Sequence, residues 1–121
     1  MTTKTEIPDP VRELLPLTPT VFYMLFALAG GEKHGYAIMK EVEKVSGGQF
    51  SLGPATLYTT IQRLLQLGLI EETSTSSDSE RRRRCYRLSR LGQEAFEAEL
   101  TRMKSLVRSA QRRKLAPREA R

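Results

Sequence analysis

Residues 52–72 read LGPATLYTTIQRLLQLGLIEE, and this stretch decides the fold. Pro54 suits the first turn of a helix, because the N–H that proline lacks would have no partner there. Gly68 suits the position just after a helix end. The stretch therefore predicts a helix from Pro54 to about Gly68 that is buried along one apolar stripe. The residues of that stripe are Leu57, Ile61 and Leu64.

The opposite side of this predicted helix is small and polar. Because successive residues are turned by about 100°, these positions point away from the apolar stripe. Their hydroxyl, amide and guanidinium groups can contact the base edges or phosphates of a nucleic acid, although an ordinary solvated face has a similar composition. Tyr58, at the edge of the stripe, is expected both to pack and to offer its hydroxyl to a phosphate. The candidate binding residues on this helix are Ala55, Thr56, Tyr58, Thr59, Gln62 and Arg63.

Two further helices are predicted upstream. Thr18 is a typical N-cap, and the apolar run VFYMLFALA at 21–29 ends at Gly30. This helix is apolar on nearly every side, whereas a surface helix of a small monomer has a polar face. We therefore expect its own domain to cover one side and another element to cover the other. A second helix, from about Gly35 to Ser46, has a single apolar stripe. That stripe is Ile38, Val42 and Val45.

A β-hairpin is predicted after the third helix. Two short strands flank the polar stretch 74–80, and in the second strand Tyr86 and Leu88 share a face that can pack inward. A run of arginines opens that strand. An arginine-rich tip can follow a phosphate backbone or enter a narrow minor groove, and a solvated charge cluster is the alternative interpretation. The run is Arg81, Arg82, Arg83 and Arg84.

The last predicted helix is capped by Ser89 and extends from about Leu91 to Ala110, roughly 30 Å at 1.5 Å per residue. Its apolar residues repeat at spacings of four and three, the pattern of a coiled-coil seam. Packing within the chain would give the same pattern. The seam is Phe96, Leu100, Met103, Val107 and Ala110.

The order of helix, helix, helix, hairpin and long helix is the layout of a winged helix-turn-helix with an added helix. The sequence therefore predicts a mainly α fold with a small β-hairpin and a C-terminal dimerisation helix. The predicted organisation is an N-terminal arm at 1–16, the winged helix-turn-helix at 17–88, the dimerisation helix at 89–110 and a basic, flexible tail at 111–121.

Charge and composition narrow the function classes. The 121 residues carry a net charge of +6 with a pI near 9.8, which favours nucleic acid first and an anionic membrane surface second. The longest apolar run, 21–29, has about half the length that a bilayer span needs, so no membrane span is expected. Cys85 is the only cysteine; this excludes an intrachain disulfide and a cysteine-rich zinc site and is typical of the reducing cytoplasm.

Catalysis is not expected. His34 is the only histidine, and it is predicted to be a turn residue that makes a local hydrogen bond. With no acid/base or nucleophile pair in view, we predict neither an enzyme nor a metal or cofactor site. Cys85 lies beside Arg84 and Arg87, which leaves a redox-sensing thiol open as an alternative to a half-buried strand residue.

Four segments together resemble the successive signatures of PadR-type repressors. They are LTPTVFYMLFAL at 17–28, HGYAIMKEV at 34–42, residues 52–72 quoted above, and RRRRCYRLSRLGQEAF at 81–96. The resemblance covers about residues 17–100 and is to the family's small subgroup. It implies a cytoplasmic homodimer that binds double-stranded DNA at an inverted-repeat operator and represses a neighbouring gene. The interface implied for the first and last helices is Val21, Leu25, Phe96, Leu100, Met103, Val107 and Ala110.

The resemblance also implies an effector. In some relatives of this subgroup a flat cavity at the dimer centre binds aromatic molecules, and an aromatic residue of the last helix lines it. The matching position here is Met103, whose thioether can also pack on flat ligands. The expected pocket consists of Phe96, Met103 and Val107, and its expected ligand is a small aromatic effector.

Two other interpretations remain open. A winged helix can serve as a protein-interaction module without specific DNA binding. A basic membrane-surface or RNA-binding protein could use the cations of the last helix and tail, although no aromatic stacking platform is seen. Those cations are Arg102, Lys104, Arg108, Arg112, Arg113 and Lys114.

Overall fold

The computed structural model describes residues 9–74 and 84–113. Its elements are α1 (Asp9–Arg12), α2 (Pro19–Ala29), β1 (Lys33–His34), α3 (Gly35–Val45), α4 (Pro54–Gln66), β2 (Ile70–Ser74), β3 (Arg84–Leu88) and α5 (Arg90–Arg112). The predicted mainly α fold with a small β-hairpin is confirmed, since helices α2 to α4 are followed by the hairpin of β2 and β3 and then by one long helix. Most of the predicted tail, the start of the predicted arm and the wing tip lie outside the described residues.

The helix starts are fixed by side-chain caps. Thr18 Oγ1 accepts a hydrogen bond from Val21 N at 3.3 Å, and Ser89 Oγ accepts one from Gly92 N at 3.0 Å. Both caps were predicted, and both satisfy N–H groups that have no partner inside the helix. His34 caps α3, because its Nδ1 accepts from Ala37 N at 3.4 Å. The prediction of a local hydrogen bond for His34 is therefore confirmed.

The sheet has three strands in the order β1-β3-β2, all antiparallel. The hairpin of β2 and β3 was predicted, whereas β1 was missed. Strand β1 has only two residues, Lys33 and His34, which pair with Tyr86 and Cys85. A two-residue strand has no alternation to recognise in a sequence. Its effect is to make β3 the central strand, hydrogen-bonded on both sides.

The core lies where α2, α3 and α4 meet beneath the sheet. The predicted stripe of α4 is confirmed, since Leu57, Ile61 and Leu64 are at most 1% exposed. The predicted arm joins this core, because Val11 is 0% exposed and belongs to the same apolar cluster. Three prolines in the segment 1–16 concealed this packing, since they interrupt any periodicity around the single buried valine.

Helix α5 has two halves with different environments. Its buried residues all lie in the first part, and there Gly92 packs so closely on the Leu69 carbonyl that a Cβ would overlap it. Beyond Leu100 no residue of the helix is buried and most are exposed, with Leu106 and Val107 each 56% exposed. We call residues 90–100 the docked half and residues 101–112 the projecting half.

Candidate nucleic-acid interface

The outward face of α4 is the centre of the candidate interface. Burial of the stripe Leu57, Ile61 and Leu64 against the body turns the rest of the helix to solvent. All six predicted binding residues of α4 are exposed, and Tyr58 keeps 53% of its surface accessible. Hydrogen-bonding groups and a basic side chain are therefore accessible along the exposed side of α4, and groups of these kinds contact base edges and phosphates.

A cleft of about 500 Å³ lies between this face and the sheet. It is bordered by the first turn of α3, by α4 and by the root of the wing at β3. Its polar and aromatic lining includes His34, Tyr36, Tyr58, Gln62, Arg84 and Tyr86. Two predicted residues of α4 thus meet the one predicted wing arginine that the structure describes.

Tyr36 is a member of this cleft that sequence reasoning missed. It is 58% exposed, and Lys40 Nζ lies 5.6 Å from the centroid of its ring. A tyrosine directly after a helix start, with a lysine four residues later, was the available signal. An exposed aromatic ring beside a cation can contact a sugar-phosphate backbone through both groups.

Gly35 brings Tyr58 close to the start of α3. A Cβ at Gly35 would lie 2.8 Å from the Tyr58 hydroxyl oxygen, so only glycine lets that hydroxyl rest against the first turn of the helix. Backbone N–H groups at the start of a helix favour an anion. Because the Tyr58 hydroxyl lies against Gly35, it and the first turn of α3 are at the same end of the cleft.

Thr56 and Arg63 lie on another part of α4. They line a groove of about 270 Å³ with the segment that leads into α2, including Leu17, Thr18 and Thr20. The six predicted residues of α4 therefore do not form one cluster. Tyr58 and Gln62 face the wing, whereas Thr56 and Arg63 face the start of α2.

The wing root carries paired charges. Arg84 Nε lies 3.6 Å from Glu72 Oε2, and Arg87 Nε lies 3.1 Å from Glu71 Oε1. These ion pairs are exposed and hold the side chains only weakly, so Arg84 can exchange Glu72 for a phosphate. Burial raises the pKa of the neighbouring Tyr86 hydroxyl, and Glu72 raises it further, so Tyr86 stays neutral beside the cleft. The predicted residues Arg81, Arg82 and Arg83 lie outside the described residues.

The predicted dimer residues differ widely in exposure. Leu25 is 0% exposed in the protomer, so its side chain has no surface to offer a partner. Phe96 is 8% exposed, with its ring centroid 5.6 Å from that of Phe22 and 5.5 Å from that of Phe26. Val21, Leu100 and Met103 are half-buried, while Val107 and Ala110 are exposed. Leu106, absent from the predicted seam, is as exposed as Val107.

The three residues of the expected effector pocket do not share one groove in the protomer. Phe96 and Leu100 line a groove of about 540 Å³ at the end of α2, while Met103 and Val107 line one of about 310 Å³ along α5. Leu100 belongs to both grooves. The two grooves therefore adjoin along α5.

Glu99 is a second residue that sequence reasoning missed. It is 0% exposed and receives hydrogen bonds from Arg102 Nε at 2.7 Å, from Arg102 Nη2 at 3.0 Å and from Leu17 N at 3.1 Å. The bonds from Arg102 lower the pKa of the Glu99 carboxyl against the opposing effect of burial, and the Leu17 N–H adds to the lowering. The available signal was a carboxylate three residues after Phe96, on the apolar side of α5.

Two other kinds of feature concern residues 9–74 and 84–113, namely a metal site and a membrane-spanning helix. Within these ranges no three His, Cys, Asp or Glu side chains are grouped as metal ligands would be. Cys85 is half-buried in β3. In the same ranges no helix combines the length and the apolar character that crossing a membrane requires.

The fold and the exposed face of α4 define a winged helix-turn-helix protein with an added C-terminal helix. The model of the transcriptional regulator PadR-like family matches residues 24–98, and the chain belongs to this family. The predicted resemblance is confirmed. No curated protein matches the chain.

Solved structures of similar fold come from several bacteria. A PadR family transcription regulator from Clostridium difficile is 20% identical, with 78% of this chain and 97% of that chain covered and a TM-score of 0.66. A PadR-like regulator from Bacillus cereus is 16% identical, with coverage of 91% and 100% and a TM-score of 0.66. Bacillus subtilis PadR, solved with operator DNA, is 19% identical, with coverage of 88% and 52% and a TM-score of 0.61.

Proposed function

We propose that this protein is a transcriptional repressor that binds an inverted-repeat DNA operator as a homodimer. The observation that carries the proposal is the free polar face of α4, which shares a cleft with Tyr36 and Arg84. Helix α4 is the second helix of the helix-turn-helix, the one that enters the major groove in proteins of this class. Membership of a family of transcriptional regulators, and the operator complex of Bacillus subtilis PadR, support the same function.

Different side chains would contact the base edges of the DNA and its phosphate backbone. Thr59 and Gln62 offer donors and acceptors to base edges from the middle of α4. The hydroxyls of Tyr36 and Tyr58, with the first turn of α3 beside them, suit a phosphate at the edge of the groove. Arg84 and the arginines before it suit the backbone or the minor groove next to the wing.

The dimer is supported by the projecting half of α5. Leu106 and Val107 are more than half exposed, and Met103 lies on the same side of the helix. Helices that leave a domain with such a stripe bury it against another helix. We assign the partner as a second copy of the chain, because a two-fold dimer presents two copies of α4 to an inverted repeat.

The proposal extends to a planar apolar effector at the dimer centre. Met103 and Val107 line the groove along α5, and Leu100 links it to the groove that contains Phe96. Two such surfaces facing each other across a two-fold axis suit a flat ligand. A ligand can bind more tightly to a dimer whose two α4 helices are misplaced for the operator. Such a ligand must lower operator affinity by the factor by which it prefers that form, typically 5–150-fold.

The function is tested by selecting bound sites from random duplexes and measuring affinity for the selected site against mixed DNA. We expect an inverted repeat, with Gln62→Ala relaxing the preference by about 1–3 kcal/mol at one base position per half-site. Gln66→Ala, an exposed glutamine one helical turn further along α4, is the matched control and should keep the preference.

Selection without any enriched sequence would contradict specific DNA binding and favour the protein-interaction alternative. An effector is tested by titrating planar dyes into the complex of wild type and of Met103→Ala. Dyes that bind wild type without changing DNA affinity would contradict the regulatory part of the proposal.

A further inference from the structure

Glu99 lies at the boundary between the two halves of α5. It is the last buried residue along the helix, after Gly92, Ala95 and Phe96. Every residue of the projecting half is half-buried or exposed. The contacts of Glu99 are therefore the last buried ones that hold α5 before the projecting half begins, where they can influence the direction of that half.

Its carboxylate is fixed from two directions. Arg102 binds both oxygens from the next turn of α5, and Leu17 N binds Oε2 from the segment before α2. Leu17 directly precedes Thr18, the N-cap of α2. The carboxylate thus joins α5 to the start of a helix whose core residues Met24 and Leu25 are fully buried.

A buried carboxylate is costly unless it is paired and hydrogen-bonded, so these bonds cannot be broken without a penalty. Charge-assisted bonds of this length are also more directional than apolar contacts, which tolerate sliding. The Glu99 clamp, defined here as Glu99 with Arg102 and Leu17 N, therefore specifies an angle between α5 and α2 as well as their contact.

A small change of this angle has a large effect at the end of the helix. From Glu99 to Arg112, α5 extends ~20 Å at ~1.5 Å per residue. A tilt of about 10° would displace that end by ~3.5 Å, about the rise of one base pair. In a dimer joined through the projecting halves, the same tilt changes the separation of the two α4 helices.

We propose that Glu99 is a positioning residue that sets the spacing of the two half-sites the dimer accepts. The inference rests on the proposed function, because spacing has a meaning only for a dimer on an inverted repeat. Glu99 is buried and is not proposed to contact DNA. It acts through the direction of α5, whereas α4 determines which bases are preferred.

The experiment uses the duplex selected by the wild-type protein and two variants of it, with one central base pair added or removed. Affinities are measured for wild type, for Glu99→Gln and for Glu97→Gln, a control that removes the same charge from an exposed position of α5. A duplex with a single half-site is measured in parallel, and thermal stability is recorded for each protein.

For wild type and Glu97→Gln we expect a preference of at least tenfold for the selected spacing. For Glu99→Gln we expect that preference to fall to about threefold or less, or to move by one base pair, while single half-site affinity stays within about twofold of wild type. The amide has only one acceptor oxygen, so it cannot accept from Arg102 Nε, Arg102 Nη2 and Leu17 N in the geometry of the carboxylate, and it loses the charge that strengthens all three bonds, including the one from Leu17 N that joins α5 to the start of α2.

Wild-type spacing preference in Glu99→Gln would overturn the inference, even if the variant melted at a lower temperature, because the clamp would then only stabilise the fold. If Glu99→Gln does not fold, Arg102→Lys is measured instead, because it keeps the positive charge but loses the bidentate hydrogen bonding to the carboxylate. It should show the same loss of spacing preference, and an undiminished preference would overturn the inference. Wild-type protein without a preferred duplex would contradict the proposed function and the inference with it.

Discussion

The docked and projecting halves of α5 continue one apolar repeat but have different surroundings. In the docked half Phe96 is enclosed by Phe22 and Phe26 of its own chain, whereas in the projecting half Val107 is 56% exposed. The same spacing of apolar residues therefore serves the fold in one half and stays exposed in the other. Periodicity identifies a face that must be covered, but only tertiary structure shows which part the chain covers itself.

The largest effect is expected in the docked half. Phe96→Ala should lower the free energy of unfolding by about 3–5 kcal/mol, because it removes a buried ring from between two others. Denaturant unfolding of the variant and of wild type measures the difference. Val107→Ala is the control, and we expect it to change the stability of the separated protomer by less than about 0.5 kcal/mol. Equal losses in the two variants would contradict the distinction between the halves.

A charge in the projecting half should separate the protomers without unfolding them. Val107→Asp would place a carboxylate in the proposed interface, which costs several kcal/mol when it is buried without a partner. We expect a dimer for wild type and a folded monomer for the variant in sedimentation at micromolar concentration. Ser105→Asp, exposed on another side of α5, should stay dimeric. A wild-type protein that sediments as a monomer would refute the proposed dimer.

A smaller change tests how wide the interface is. Leu106 was not part of the predicted seam, yet it is as exposed as Val107. Leu106→Ala should weaken the dimer by about 1.4 kcal/mol, a factor of about ten, if the partner covers this side chain. Dissociation constants from dilution series provide the measurement. An unchanged constant would restrict the interface to the predicted stripe.

The stabilisation contributed by Glu99, at the boundary between the halves, should be lost in acid. The pKa of Glu99 is lowered in the folded protein from an ordinary value of 4.5. Its stabilisation is therefore present above about pH 4.5 and is lost as pH falls through the lowered folded-state pKa. Thermal melting between pH 7 and pH 3 should show a shallower acid loss for Glu99→Gln than for Glu97→Gln. Parallel curves would show that the Glu99 carboxylate adds nothing to stability.

Much of the molecule could be predicted from sequence because its signals are local. The caps at Thr18 and Ser89 and the stripe of α4 depend on residue types at fixed spacing within one element. The exposed face of α4 followed from the same periodicity. These parts of the fold and of the candidate interface need no knowledge of distant contacts.

The features that were missed depend on contacts between distant segments. The bond from Leu17 N to Glu99 joins residues 82 positions apart, and no pattern in either segment specifies the other. Strand β1 exists only because β3 lies beside it. The division of α4 between Tyr58 and Gln62 on one side and Thr56 and Arg63 on the other depends on how the wing and the start of α2 flank the helix.

The position of β2 at the edge of the sheet bears on solubility. With β3 in the centre, β2 presents one side that no described strand covers. An open edge can pair with a strand of another molecule and begin aggregation, and charged side chains on the edge oppose this. Strand β2 carries Glu71 and Glu72, both exposed. Each of them is paired with an arginine of β3, so a strand that covered this edge would meet charged side chains that must first lose water, and self-association through β2 is disfavoured.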